Sequence, residues 1–226
     1  MEVYFSYGAK EIAYLKQKDK RLAEVIDKVG IVKREVIPDL FEALVHCIVG
    51  QQISTKAHET VWKKIKGTLG KVTPDAVLRL STEELQRFGL SFRKAAYIQN
   101  AATKIASGSL RLEDLYTMSD KALCDKLAEL EGIGKWSAEM LMLFSMQRPD
   151  ILSYSDLGIQ RGLRMIYHHR KIDRRLYEKY RKRFSPYGSV ASLYLWAVAG
   201  GAIEGMKDYA PQKRTTTKIC NVKNRS

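Results

Sequence analysis

Apolar residues recur along this chain with the period of an α-helix, and scarcely anywhere with the period of a strand. From Asp39 onward, Phe41, Leu44, Val45, Ile48 and Val49 fall at i, i+3, i+4, i+7 and i+8, which lines one helical face. Pro38 stands ahead of this segment and Gly50 near its end. Ser54 can cap a second helix, with Ala57, Val61, Trp62 and Ile65 inward. Thr73-Pro74-Asp75 puts a capping hydroxyl before a proline at the first helical position. Ser81 and Glu84 have capping-box spacing, and Ser91 precedes a helix with Ala95, Ile98, Ala102 and Ile105 on one side. Further helices are expected at about 120–130, 135–146, 157–168, 174–184 and 189–203. Val3-Tyr4-Phe5 could be extended but has no sheet to join. The pattern predicts an all-α protein.

Charge narrows the partner. The 226 residues hold 39 Lys/Arg against 25 Asp/Glu, a net +14. Between Leu157 and Tyr187 ten Lys/Arg face only Asp173 and Glu178, a net +8. From Lys207 to Ser226 six face only Asp208, a net +5. A concentrated basic surface fits a polyanion, nucleic acid above all. The polar, basic stretch from Pro211 to Ser226 reads as a tail, or as an arm on the DNA-facing surface. Cys47, Cys124 and Cys220 lie far apart, which excludes a disulfide framework, a CxxC metal knuckle and a four-cysteine iron–sulfur cluster. No apolar run has the length of a membrane span and no signal-peptide pattern opens the chain, so a reduced, cytoplasmic protein with no membrane partner is expected.

The most specific local feature is Leu127-Ala128-Glu129-Leu130-Glu131-Gly132-Ile133-Gly134-Lys135-Trp136-Ser137-Ala138. Amphipathic segments flank Gly-Ile-Gly, so it reads as helix, tight hairpin, helix. Gly132 and Gly134 are expected to supply backbone angles closed to other residues and a close approach to another backbone. Ile133 plugs into the core. The second helix opens with unpaired N–H groups, which suit a phosphate. This segment resembles a helix-hairpin-helix DNA-binding motif, with Gly132, Gly134, Lys135 and Ser137 at the DNA. Eighteen residues past Ala138 stands Asp156, ahead of Leu157, Ile159 and Leu163. By itself it reads as a helix N-cap.

Hairpin and aspartate together resemble the helix-hairpin-helix DNA glycosylases. The resemblance implies that Asp156 is the catalytic carboxylate; capping is compatible with that role, because a helix N-terminus favours negative charge. Bifunctional members carry a nucleophilic lysine two residues after the second hairpin glycine. Here that position is Trp136, and Lys135 lies one place earlier, about 100° round the helix. A monofunctional enzyme using water is therefore expected.

Within the superfamily the chain is most similar to the bacterial 3-methyladenine glycosylase II group. The likeness runs over about residues 38–203, through Gly50-Gln51-Gln52-Ile53-Ser54, Gly89-Leu90-Ser91-Phe92-Arg93-Lys94-Ala95, the hairpin, and Ser153 to Arg161. It looks like a compact form without the N-terminal α/β domain. The match implies Trp136 and Trp196 as base-pocket walls, with Tyr154 or Tyr187 compensating for Met140 and Leu157, which stand where tyrosines are usual. It places Gln51, Gln52, Arg93, Lys94 and Arg161 near DNA, and Phe92 as an apolar wedge that fills the gap left by a flipped nucleotide. It also implies a sodium or potassium ion on the backbone carbonyls of Ala128, Leu130 and Ile133, with no other cofactor.

The expected architecture is two helical lobes, 37–148 and 1–36 joined to 149–226, with damaged double-stranded DNA across the cleft. The expected function is hydrolytic release of alkylated purines such as 3-methyladenine and 7-methylguanine in base excision repair, by a monomer at the bacterial nucleoid. Two other readings stay open: a glycosylase/lyase for oxidised bases, and a non-catalytic DNA-binding module.

Overall fold

The computed structural model describes residues 3–211, so the tail from residue 212 to Ser226 and Cys220 lie outside the described residues. Those described form thirteen α-helices and no strand. The Val3–Phe5 segment is extended and pairs with residues 34–36 through one isolated antiparallel bridge, Tyr4 to Glu35.

Helices α1 (Ala9–Lys18) and α2 (Lys20–Val29) form an antiparallel pair. The chain then builds α3 (Leu40–Gly50), α4 (Thr55–Leu69), α5 (Pro74–Leu78), α6 (Thr82–Arg87) and α7 (Phe92–Ala106). Next come α8 (Leu112–Thr117), α9 (Asp120–Ala128) and α10 (Lys135–Phe144), the last two forming the hairpin. The chain closes with α11 (Leu157–Tyr167), α12 (Arg174–Phe184) and α13 (Gly188–Ala199). α1 and α2 pack on this last group, while α3 packs on α4, α7 and α10.

Local chemistry explains where helices start. Asp39, Ser54, Thr73, Ser81, Ser91, Ser119, Asp156 and Asp173 each accept a hydrogen bond from a first-turn backbone N–H. Ser81 and Glu84 complete the capping box. The first buried stripe is as the periodicity requires: Phe41, Leu44, Val45, Ile48 and Val49 are all buried. α11 and α13 approach most closely at Gly162, where a β-carbon would lie 2.4 Å from the Leu195 carbonyl oxygen. That crossing matters for the site, because α11 begins at Asp156 and α13 carries Trp196.

Beside the C-terminus of α3, the His46 ring lies 4.2 Å from that of His58 and 4.8 Å from that of Trp62. Burial first, and then His58, pushes the His46 pKa down to about 4. Burial also lowers His58, with Lys94 adding to the effect while the His46 backbone and Glu59 oppose it. Both imidazoles are thus held neutral in the fold, and the unfolded chain binds protons more readily. Stability is full above the ordinary histidine value of 6.5 and is lost as pH falls from there towards about 4. The expected loss is on the order of 2 kcal/mol. It should appear as a falling urea midpoint over that window, and His46→Phe should flatten the fall.

Candidate active site and nucleic-acid interface

Asp156 is the N-cap of α11 and is buried. Its Oδ1 accepts from the Ile159 amide at 2.8 Å and from the Trp196 indole Nε1 at 2.9 Å. Its Oδ2 accepts from the Trp136 indole Nε1 at 2.8 Å. Three N–H groups therefore hold the carboxylate, with no cation paired to it among the described residues. A carboxylate oxygen accepts about two hydrogen bonds. Oδ1 is saturated, and Oδ2 keeps one acceptor direction free. The two indoles come from different elements, Trp136 from the first turn of α10 and Trp196 from α13.

The walls are aromatic. The Trp196 ring lies 5.4 Å from that of Phe144, and the Arg34 guanidinium sits over the Phe144 ring at 4.9 Å. Trp136 is 43% exposed, so its indole edge is anchored on Asp156 while much of its ring faces outward. Leu157, next to the carboxylate, is 79% exposed. Sequence reasoning missed Phe144 and Gly158. Phe144 is eight residues beyond Trp136 on α10, so helical spacing puts it near the same face. Gly158 works by what it lacks: a β-carbon there would lie 2.8 Å from Trp196 Cδ1 and 3.1 Å from Asp156 Oδ1. The indole can reach the carboxylate only because position 158 is empty.

Two tyrosines belong elsewhere. A turn at Tyr154–Ser155 swings Tyr154 onto Tyr177, 5.0 Å away, under the Arg174 guanidinium. Tyr187 is the N-cap of α13, nine residues from Trp196, and its ring packs edge-on against Tyr14 at 5.1 Å. Neither ring is brought to the indole pair.

The hairpin presents a bare helix N-terminus. Gly134 caps α10 without a side-chain bond, and Gly134, Lys135 and Trp136 are exposed. Only Gly132 has a glycine-type backbone angle, φ +83°; a β-carbon there would lie 2.3 Å from the Tyr97 ring. Gly134 has an ordinary φ of −84°, and a β-carbon would meet nothing within 4 Å. Neither its backbone nor its neighbours require glycine, which leaves open space over the free amides. Ile133 is buried. Ser137 is buried too, near Cys47, so only its backbone N–H is available to an anion.

The glutamine turn is tied to this hairpin. Gln51 Nε2 donates to the Gly132 carbonyl at 2.8 Å. Gln52 is exposed with φ +54°. Lys94 departs from expectation: its ammonium donates to the carbonyls of Val49 and Gln51 at 2.9 and 2.6 Å, closing the C-terminus of α3. Burial lowers its pKa, and the oxygens it binds are those a helix leaves unpaired. Arg93 is exposed, and Phe92, first residue of α7, is 65% exposed. Arg161 has a half-exposed side chain 3.9 Å from Asp208, which Arg164 binds through two nitrogens. Lys135 and Glu139 line a cavity on a different face of α10 from Trp136. Glu139 accepts from Ser153, and burial raises its pKa.

Known proteins share this fold. A family model described as HhH-GPD superfamily base excision DNA repair protein matches residues 45–186. A Bacillus halodurans DNA-3-methyladenine glycosidase crystal structure superposes with a TM-score of 0.78 at 36% identity, covering 88% of this chain and 93% of that one. The Schizosaccharomyces pombe 3-methyladenine DNA glycosylase in complex with abasic DNA gives 0.74 at 25%, covering 86% and 99%. DNA-3-methyladenine glycosylase 1 of that yeast is 27% identical over 182 residues, 78% of this chain and 80% of its own. The chain belongs to the HhH-GPD superfamily of base excision DNA repair proteins.

Proposed function

We propose that this protein is a monofunctional DNA glycosylase that hydrolyses the N-glycosidic bond of alkylated purines in duplex DNA. The observation that carries this reading is the Asp156 carboxylate, held by two indole N–H groups and a backbone amide, with Phe144 packed against the Trp196 ring. The relatives named 3-methyladenine glycosylases, and the neighbour bound to abasic DNA, support both substrate class and partner.

The chemistry follows from charge. Breaking the bond between base and deoxyribose leaves positive charge on the sugar. Asp156 Oδ2, with its one free acceptor direction, offers negative charge to that cation, or takes the proton of the attacking water. Its three donors fix the side chain in advance, so little reorganisation is needed as charge develops. An N-alkylated purine is itself cationic, and an indole face attracts it by roughly 0.5–2 kcal/mol beyond its burial. Such a base is already a good leaving group, so a strong general acid is not demanded.

Phosphates sit at the exposed α10 N-terminus, with Lys135 adding charge. Phe92 is the wedge that replaces the flipped nucleotide in the stack, offsetting a few kcal/mol of unstacking. The carbonyls of Ala128, Leu130 and Ile133 would hold a monovalent cation. Leu130 already accepts from the Ile133 amide at 2.9 Å, whereas the other two accept no bond among the described residues. Hard oxygen donors suit such an ion, which would add positive charge beside the phosphate site.

With Trp136 at the lysine position and Lys135 turned to another face, hydrolysis stands in place of a Schiff base. Duplexes carrying single lesions should release free 3-methyladenine and 7-methylguanine, identified by mass, and leave intact abasic strands. Borohydride should trap no protein–DNA adduct; a trapped adduct would replace this reading with the lyase mechanism.

A further inference from the structure

Of the ten Lys/Arg between Leu157 and Tyr187, five are tied to carboxylates: Arg161 and Arg164 to Asp208, Arg174 to Glu178, Arg181 to Asp150 and Arg183 to Asp19. Arg175, Lys179 and Lys182 differ. All three are exposed, and none has an ion-pair partner among the described residues. They stand at i, i+4 and i+7 of α12, within one arc of about 60° and over about 10 Å of helix rise. The opposite face of α12 is buried through Tyr177, Tyr180 and Phe184. The fold thus pins this helix by its aromatic side and turns a ridge of uncompensated cations outward. A merely solvated helix face mixes both signs, and this ridge holds one sign only.

The ridge starts close to the hairpin. Arg174, at the head of α12, and Lys135, at the head of α10, line the same cavity of about 320 Å³. Four of the five carboxylates around that cavity are paired, Asp125 with Lys121, Asp120 with Arg148, Asp150 with Arg181 and Glu178 with Arg174, while the fifth, Glu139, accepts from the Ser153 hydroxyl. Lys135 and the three ridge cations are exposed and carry no ion pair among the described residues.

Resting on the glycosylase reading above, we propose that Arg175, Lys179 and Lys182 form a second phosphate-contact surface. It engages the backbone of the duplex flanking the lesion, beyond the stretch held by the hairpin. One DNA strand carries a charge about every 3.4 Å along the axis, so three cations over about 10 Å fall within reach of a run of about four successive phosphates. The contact is sequence-independent and serves the hold on undamaged DNA during search.

The test is the triple variant R175Q/K179Q/K182Q in the full chain. Glutamine keeps helix propensity at exposed positions, and circular dichroism checks the fold. Binding is measured against salt on duplexes of one and three helical turns, about 10 and 30 base pairs, centred on the lesion. On the long duplex the variant should lose roughly 10-fold or more in affinity at low salt, and its log–log salt slope should fall by about 2.7. On the short duplex it should match the wild type, and single-turnover excision at saturation should be unchanged. Equal salt slopes on the long duplex would overturn the proposal, as would an equal loss on both lengths. Weakened adsorption to anionic lipid vesicles with DNA binding intact would assign the ridge to membranes instead. Failure of the glycosylase reading registers separately, as wild-type protein that binds both duplexes and releases no base.

Discussion

Asp156→Asn should bind lesion-containing duplex within a few-fold of the wild type and excise the base at least 10²-fold more slowly, a barrier increase of about 3 kcal/mol or more. Asparagine is as good an N-cap as aspartate, so its oxygen can keep the Ile159 amide and the α11 start intact. Its amide nitrogen, however, cannot accept from an indole N–H. One of the two tryptophans must release, and Trp136, the sole donor to Oδ2, is the one facing the substituted atom. Loss of catalysis should therefore come with a change in tryptophan fluorescence but nearly unchanged thermal stability. Single-turnover kinetics with released-base quantitation and a melting curve check this together. Excision within 3-fold of the wild type would remove Asp156 from the mechanism. Asp156→Ala loses the cap as well and should also cost about 1 kcal/mol of stability.

Gly162→Ala should be strongly destabilising. The added carbon would sit 2.4 Å from the Leu195 carbonyl oxygen, and 2.9 Å from two further backbone atoms of that residue. Backbone in the middle of a helix cannot swing aside as a flexible side chain does, so α11 and α13 must separate. The expected loss is about 3 kcal/mol, at the upper end of overpacking costs. For a chain of this size that lowers Tm by roughly 6–12 °C. Activity of the folded remainder should fall too, because Leu195 precedes Trp196 and the separation draws that indole from Asp156. Calorimetry and excision assays on one preparation test both parts; a Tm within 1 °C of the wild type would refute the crossing argument.

Much of this was legible before any coordinates, and the reasons are local. Capping residues announce helix starts because unpaired amides need acceptors, and the caps read at Ser54, Thr73, Ser81 and Asp156 are all made as hydrogen bonds. The all-α class follows from the apolar period. Asp156 was legible as a helix cap because its position ahead of an apolar stripe asks for an acceptor of first-turn amides, while its catalytic role came only from the family resemblance. What escaped depends on long-range packing. Tyr154 is two residues from Asp156, yet a turn reverses its direction. Tyr187 lies on the same helix as Trp196, but about 13 Å of helix rise separates them. Lys94 looked like a phosphate ligand beside Arg93, and the fold instead directs it at two helix-end carbonyls. Phe144 carried no local mark, since a phenylalanine at a core-facing position looks the same whether its ring meets core or cleft.

The vacancy at Gly158 has a consequence for redesign. The placing of the Trp196 ring beside Asp156 is governed from the backbone, by a residue that has no side chain. Any bulkier choice there displaces Trp196 and surrenders one of the two indole tethers. Engineers seeking an enzyme for larger adducts would do better to begin at this bare backbone position than at the rings themselves.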